Sequence, residues 1–97
     1  MHGSEGRNRE MPLYLDVHYQ VTPPGERVDE PALRDAHGRD LALQDKYGVK
    51  FVKYWYDERT GRVFCLAEAP SKEAFEACHR EAHGLLADEI WEVNEGE

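Results

Sequence analysis

A chain of 97 residues is long enough for one small domain and too short for two. Hydrophobic residues make up 40% of it and charged residues 33%, which excludes a disordered composition, and a formal charge of −8 argues against the basic stripe of a nucleic-acid binder. No apolar run is long enough to span a bilayer, and no leader or lipidation motif is recognisable, so a cytoplasmic protein without membrane or nucleic-acid partners is expected.

Residues 1–10 are polar and without periodicity, and are predicted to form a flexible tail ahead of a single domain over 11–97. From Leu13 to Val21 apolar and polar residues alternate, the pattern of a strand with one apolar face. On that reading Leu13, Leu15 and Val17 point one way, and Tyr14, Asp16 and His18 the other. Thr22-Pro23-Pro24-Gly25 ends the strand. Asp29 is a good N-cap for a helix that carries Leu33, Ala36, Leu41 and Leu43 and stops at Tyr47 with Gly48 behind it. Gly38 inside that helix costs about 1 kcal/mol relative to Ala, which suggests a close approach at that point.

Val49 to Tyr56 is β-branched and aromatic, a second strand. Asp57 to Gly61 reads as a hairpin loop, with Gly61 supplying a positive φ. Arg62 to Glu68 is a third strand, and Ser71 caps a second helix that turns Ala74, Phe75, Cys78 and Ala82 inward and ends at Gly84. Ile90 to Val93 is a short last strand. The order β-α-β-β-α-β is that of the ferredoxin-like split βαβ motif, an α+β fold with two helices on one face of a four-stranded antiparallel sheet. The other sheet face is expected to be bare and to carry Tyr14, Asp16 and His18 together with Phe64, Leu66 and Glu68. A half-apolar open face invites a second sheet, so a homodimer is expected.

The chemistry lies in histidines and carboxylates, the donors that borderline divalent ions take from a protein. Asp16 and His18 share a strand face, about 7 Å apart at Cα. The first and third strands are expected to be adjacent and parallel and to end at the same rim, which sets Glu68 near His18. His37 and Asp40 are three apart on the first helix, and His79 and His83 four apart on the second, a spacing that turns two rings the same way. Each pair also has an ordinary reading: a solvated His beside an acid, a surface hydrogen bond, or a cationic pair at a helix C-terminus. The order His79-Arg80-Glu81-Ala82-His83 is not that of a zinc protease. Cys65 and Cys78 do not form a disulfide framework and read as buried thiols. No phosphate loop or activated nucleophile is evident, and no catalytic residue is assigned.

Taken in order, Asp16-Val17-His18, Ala36-His37 with Asp40-Leu41, Gly48-Val49, Phe64-Cys65-Leu66 with Glu68-Ala69-Pro70, His79-Arg80-Glu81-Ala82-His83-Gly84, and Ala87-Asp88-Glu89-Ile90 with Glu92-Val93 form a spaced set. In that order and spacing the chain resembles a small bacterial family of nickel-binding, ferredoxin-like proteins, from about Leu13 to Val93. The resemblance implies a ferredoxin-like fold, a dimer, and metal binding by histidines and carboxylates, with nickel the named ion and no established enzymatic activity. Lys50 and Lys53 stand where the metal-binding branch can carry histidines.

The expected function is therefore a small homodimeric metal-binding protein, for Ni²⁺ with Zn²⁺ or Co²⁺ as alternatives, acting as a sensor, carrier or buffer. The expected ligands are His18 and Asp16, then His37, then His79 and His83, with Asp40 and Glu68 as further ligands or as groups that orient them. Affinity is expected to fall below about pH 6, where free imidazole takes up its proton. A second reading is an enzyme or small-molecule binder of dimeric α/β-barrel type, with a cavity between two sheets and His18 as a base oriented by Asp16. A third is an interaction domain in which the histidines are ordinary.

Overall fold

The computed structural model describes residues 11–96, so the predicted tail over 1–10 lies outside the described residues. The elements follow in the order β1 (Leu13–His18), α1 (Glu30–Tyr47), β2 (Lys50–Tyr56), β3 (Val63–Glu68), α2 (Lys72–Ala82) and β4 (Glu89–Val93). The four strands form one sheet in the order β2-β3-β1-β4, with every neighbouring pair antiparallel. This is the ferredoxin-like βαββαβ arrangement. None of the described helices is long and apolar enough to cross a membrane.

Local chemistry sets the boundaries. The Asp29 carboxylate accepts the Ala32 N–H at 3.3 Å and starts α1, while Gly48, at φ 68°, closes it with its N–H on the Asp45 carbonyl. The Ser71 hydroxyl accepts the Ala74 N–H at 3.1 Å and starts α2. Gly61 takes φ 79° in the β2–β3 hairpin as expected, and a Cβ there would press on the Thr22 hydroxyl at 2.9 Å. β1 stops at His18, short of the predicted Val21. Beyond it the Tyr19 N–H turns to the Asp88 carboxylate at 2.6 Å, and the Val21 N–H goes to the Gly61 carbonyl.

The core lies between the sheet and the two helices, built on Val49, Val63, Cys65, Ala67, Ala69, Phe75 and Cys78. Ala67 at the end of β3 and Ala69 just beyond it are fully buried, as are Phe75 and Cys78 of α2. A register shift between Phe51 and Lys53 places Phe51 opposite Ala67 and Tyr54 opposite Cys65. Two aromatic residues three apart in sequence thereby share the helix side of the sheet, with Val52 bulged outward and exposed.

Three expectations are corrected here. Antiparallel pairing of β1 with β3 sets Glu68 opposite Leu13 and Val63 opposite His18, so Glu68 stands at the far end of the strand from His18. The facing of β1 is also inverted. Asp16 and His18 turn toward the helices, because they find buried partners there. The open face carries Leu15 and Val17 with Phe64, Leu66, Trp55 and Trp91, which lie opposite one another across the sheet. Gly38 meets nothing within 4 Å of where a Cβ would stand, so no close approach explains it, and Leu41 on the same helix is exposed.

Candidate metal centre

The helix side of the sheet buries four polar side chains against the apolar core: Asp16 and His18 from β1, Asp40 from α1 and His79 from α2. Asp16 is 0% exposed and His79 1%. Burying such groups is costly unless each finds a partner, and here they partner one another.

His79 is the hub. Its Nε2–H donates to Asp16 Oδ2 at 2.8 Å and its Nδ1–H to Asp40 Oδ1 at 2.8 Å. Ionised carboxylates only accept, so both ring nitrogens carry protons and the ring is an imidazolium. His18 Nε2 meets the same Asp16 Oδ2 at 3.2 Å, and Asp16 Oδ1 accepts the Cys65 N–H at 3.1 Å. On the other side His83 Nε2–H donates to Asp40 Oδ2 at 3.0 Å, while its Nδ1 accepts the Leu85 N–H at 3.0 Å. That backbone contact fixes the His83 tautomer. The Cys78 thiol leans on the Asp40 carbonyl at 3.7 Å. The chain of contacts runs His18–Asp16–His79–Asp40–His83, across three elements of the fold.

The electrostatics follow from this geometry. Burial works against charge on His79, but the hydrogen bonds to Asp16 and Asp40 outweigh it and push its pKa up to about 12. At His18 burial again opposes, and the Asp16 contact raises the pKa to about 9. Burial raises the carboxyl pKa of Asp16 and Asp40, yet their histidine partners win and hold both below the usual carboxylate range. With both carboxylates ionised and His18 and His79 protonated, the charges in the cluster offset each other.

Two overlapping groups of donor atoms result. Asp16, His18, Cys65 and His79 each offer one atom within 4.8 Å of the others, and so do Asp40, His79 and His83. A small cleft of ≈ 20 Å³, large enough for a water-sized occupant, opens on His18, Cys65, His79, Asp40 and His83. Imidazole, carboxylate and thiolate together suit a borderline ion such as Ni²⁺, Co²⁺ or Zn²⁺.

The predicted residues separate accordingly. Asp16, His18, Asp40, His79 and His83 come together, and the sheet does not divide them as the expected facing implied. Glu68 falls outside both groups. His37 lines the cleft but joins neither group; its ring sits against Tyr54, centroids 4.6 Å apart, and Phe51, and burial lowers its pKa against the pull of Asp40. Sequence reasoning missed Cys65, which it placed only as a buried thiol. The register pairing Cys65 with Asp16 is what brings the sulfur in. Because Asp16 and His18 face the helices, they do not line a cavity between two sheets, and the between-sheet active site loses its base.

Comparison with known proteins agrees with this architecture. A family model described as Nickel responsive protein SCO4226-like matches residues 14–93. The chain belongs to the SCO4226-like family. The crystal structure of SCO4226 from Streptomyces coelicolor A3(2) superposes with a TM-score of 0.76 at 35% sequence identity, over 88% of this chain and 99% of that one. No curated protein matches significantly. The SCO4226-like match spans all six elements apart from the first residue of β1.

Proposed function

We propose that the chain is a small divalent-metal-binding protein of the cytoplasm, a sensor, carrier or buffer for Ni²⁺ or a similar ion, with the ion held by the buried cluster. One observation carries this reading: two carboxylates, three imidazoles and a thiol converge beneath the helices, where an apolar core would be the ordinary filling. A divalent ion bound by His18 and His79 replaces one proton on each ring and leaves the net charge of the cluster unchanged, and ligation by the Cys65 thiolate releases a third proton. Asp16, His18, Cys65 and His79 form the better donor set, since the thiolate adds a soft ligand. The family's description as nickel responsive supports nickel as the ion.

The working form in this proposal is a homodimer. The open sheet face is apolar, with Trp91 58% exposed and Trp55 46%. By register it carries Lys50 and Lys53 toward the β2 edge and Glu89 on β4, so a second copy turned by a two-fold axis can set lysines against glutamates.

A second reading has its own observation. Every contact in the cluster is already satisfied by another protein group, so it can serve as an ionic lock with no metal at all. Calorimetric titration of metal-free protein with Ni²⁺, Zn²⁺ and Co²⁺, on wild type, His18→Ala and Cys65→Ser, separates the two. Sub-micromolar binding weakened in both variants supports the metal centre. Weak binding that is indifferent to both substitutions leaves the lock.

A further inference from the structure

The two donor groups have one member in common, and it offers each of them a different atom. His79 presents Nε2 to the Asp16 side and Nδ1 to the Asp40 side, at 2.8 Å in each case. Asp16, His18 and Cys65 lie around the first nitrogen, and Asp40 and His83 around the second. A ring placed to orient a single ion would turn one nitrogen to the metal and the other to a carboxylate or carbonyl that takes its proton. Here the far carboxylate is itself held by a further imidazole, and the small cleft is lined by His79 together with His18 and Cys65 of one group and Asp40 and His83 of the other.

We propose that the cluster is a dinuclear site in which His79 bridges two divalent cations as an imidazolate. One ion is held by Asp16, His18, Cys65 and His79 Nε2. The other is held by Asp40, His83 and His79 Nδ1, with water completing its shell. Four protons leave for solvent, two from the His79 ring and one each from His18 and the Cys65 thiol, the His83 ring proton moves from Nε2 to Nδ1, and two divalent ions replace the four charges, with one metal–nitrogen bond formed at each vacated His79 nitrogen. The first set has four protein donors including a thiolate, and fills first. The second has three, and His83 Nε2 can bind only if the ring releases the Leu85 N–H that its Nδ1 now accepts, so it fills second and more weakly.

This inference rests on the metal-binding reading, and cobalt separates its failure from the failure of that reading. Metal-free protein is loaded with Co²⁺ and followed by native mass spectrometry, thiolate-to-cobalt absorption, and low-temperature EPR with magnetic susceptibility. The expected result is two ions per chain, a thiolate band saturating with the first ion, and magnetic coupling appearing with the second. His83→Ala, at a half-buried position, and Asp40→Asn should each lose the second ion and the coupling while keeping the first ion and its thiolate band. Two ions without coupling, or a single ion in wild type, overturns the bridge and leaves the metal-binding reading standing. No cobalt bound to the cluster, judged by the absence of a thiolate band that Cys65→Ser would abolish, overturns both.

Discussion

His79 Nε2 stands 2.8 Å from Asp16 Oδ2, and that contact ties α2 to β1 where neither side chain meets water. Removing one member of a buried ion pair leaves the other charged and unpartnered, at a cost of about 3–5 kcal/mol. Asp16→Ala removes the carboxylate partner of His18 and of the Cys65 N–H and leaves the buried His79 cation with Asp40 alone. It should therefore lower the stability of metal-free protein by an amount in that range, read from urea unfolding. A loss no larger than that of an exposed substitution such as Asp35→Ala would show that the pair contributes little.

The same contacts give the metal-free fold a direction of pH dependence. His79 and His18 are raised on folding, to about 12 and about 9. Their contribution is complete below the unfolded value near 6.5, declines above it, and is lost as pH passes through the folded values. Asp16 and Asp40 are lowered, so their contribution is complete above the ordinary value of 3.8 and is lost as pH falls through the folded ones. Metal-free protein should be most stable in mildly acidic solution and should weaken steadily from about pH 7 to 9. Urea midpoints measured across that window in the presence of a chelator provide the check; a midpoint that rises toward pH 9 contradicts the assignment.

Metal uptake must then run against protons held more tightly than a free imidazole holds them. The simple expectation puts the loss of affinity below about pH 6. With His18 titrating near 9 and His79 higher still, affinity should keep climbing through the neutral range to pH 9. Calorimetry in buffers of different ionisation enthalpy reads the protons released per ion. Uptake at pH 7.5 should release protons in a whole-number range that a solvated site would not reach. An affinity already level between pH 7 and 9 would place the ion elsewhere on the chain.

Gly38 offers a test of the fold apart from the cluster. It lies inside α1, its φ is not positive, and a Cβ there meets nothing within 4 Å. Gly38→Ala should raise stability by about 0.5–1 kcal/mol, through helix propensity and a less free unfolded chain. A loss of stability would mean that the bare position has a use on the surface.

The element order was legible because the period-two and helical patterns are strong and their caps are ordinary: Asp29, Ser71 and Gly48 each do what their type predicts. The facing of β1 was misread because polar alternation normally marks the solvent side, and only partners from other elements reverse it. The sign of reversal was present on the helices. Asp40 falls in the stripe Leu33–Ala36–Asp40–Leu43–Tyr47, and His79 lies beside Cys78 and four residues from Phe75. A carboxylate and an imidazole in two facing apolar stripes must pair with something buried, and Asp16 and His18 were the candidates on the sheet. Cys65 was harder to see, because its place in the cluster depends on the antiparallel register of β1 and β3, which periodicity does not specify.

The reversed facing also changes which residues would meet in a dimer. With Asp16 and His18 turned inward, the surface left for a partner is the apolar one, and its most exposed large side chain is Trp91, whose indole N–H is held by Glu89 at 2.7 Å. Across the sheet Lys53 lies over the Trp55 ring at 5.9 Å. Trp91→Glu should convert a dimer to monomers in sedimentation velocity, because it buries a new charge at the contact and sets like charges against each other. Since Trp91 is on the opposite sheet face from the cluster, the variant should keep wild-type metal stoichiometry. A wild-type chain that is monomeric at high micromolar concentration would remove the dimer from the account, whereas a monomeric variant that also lost metal would mean that the two faces are coupled through the sheet.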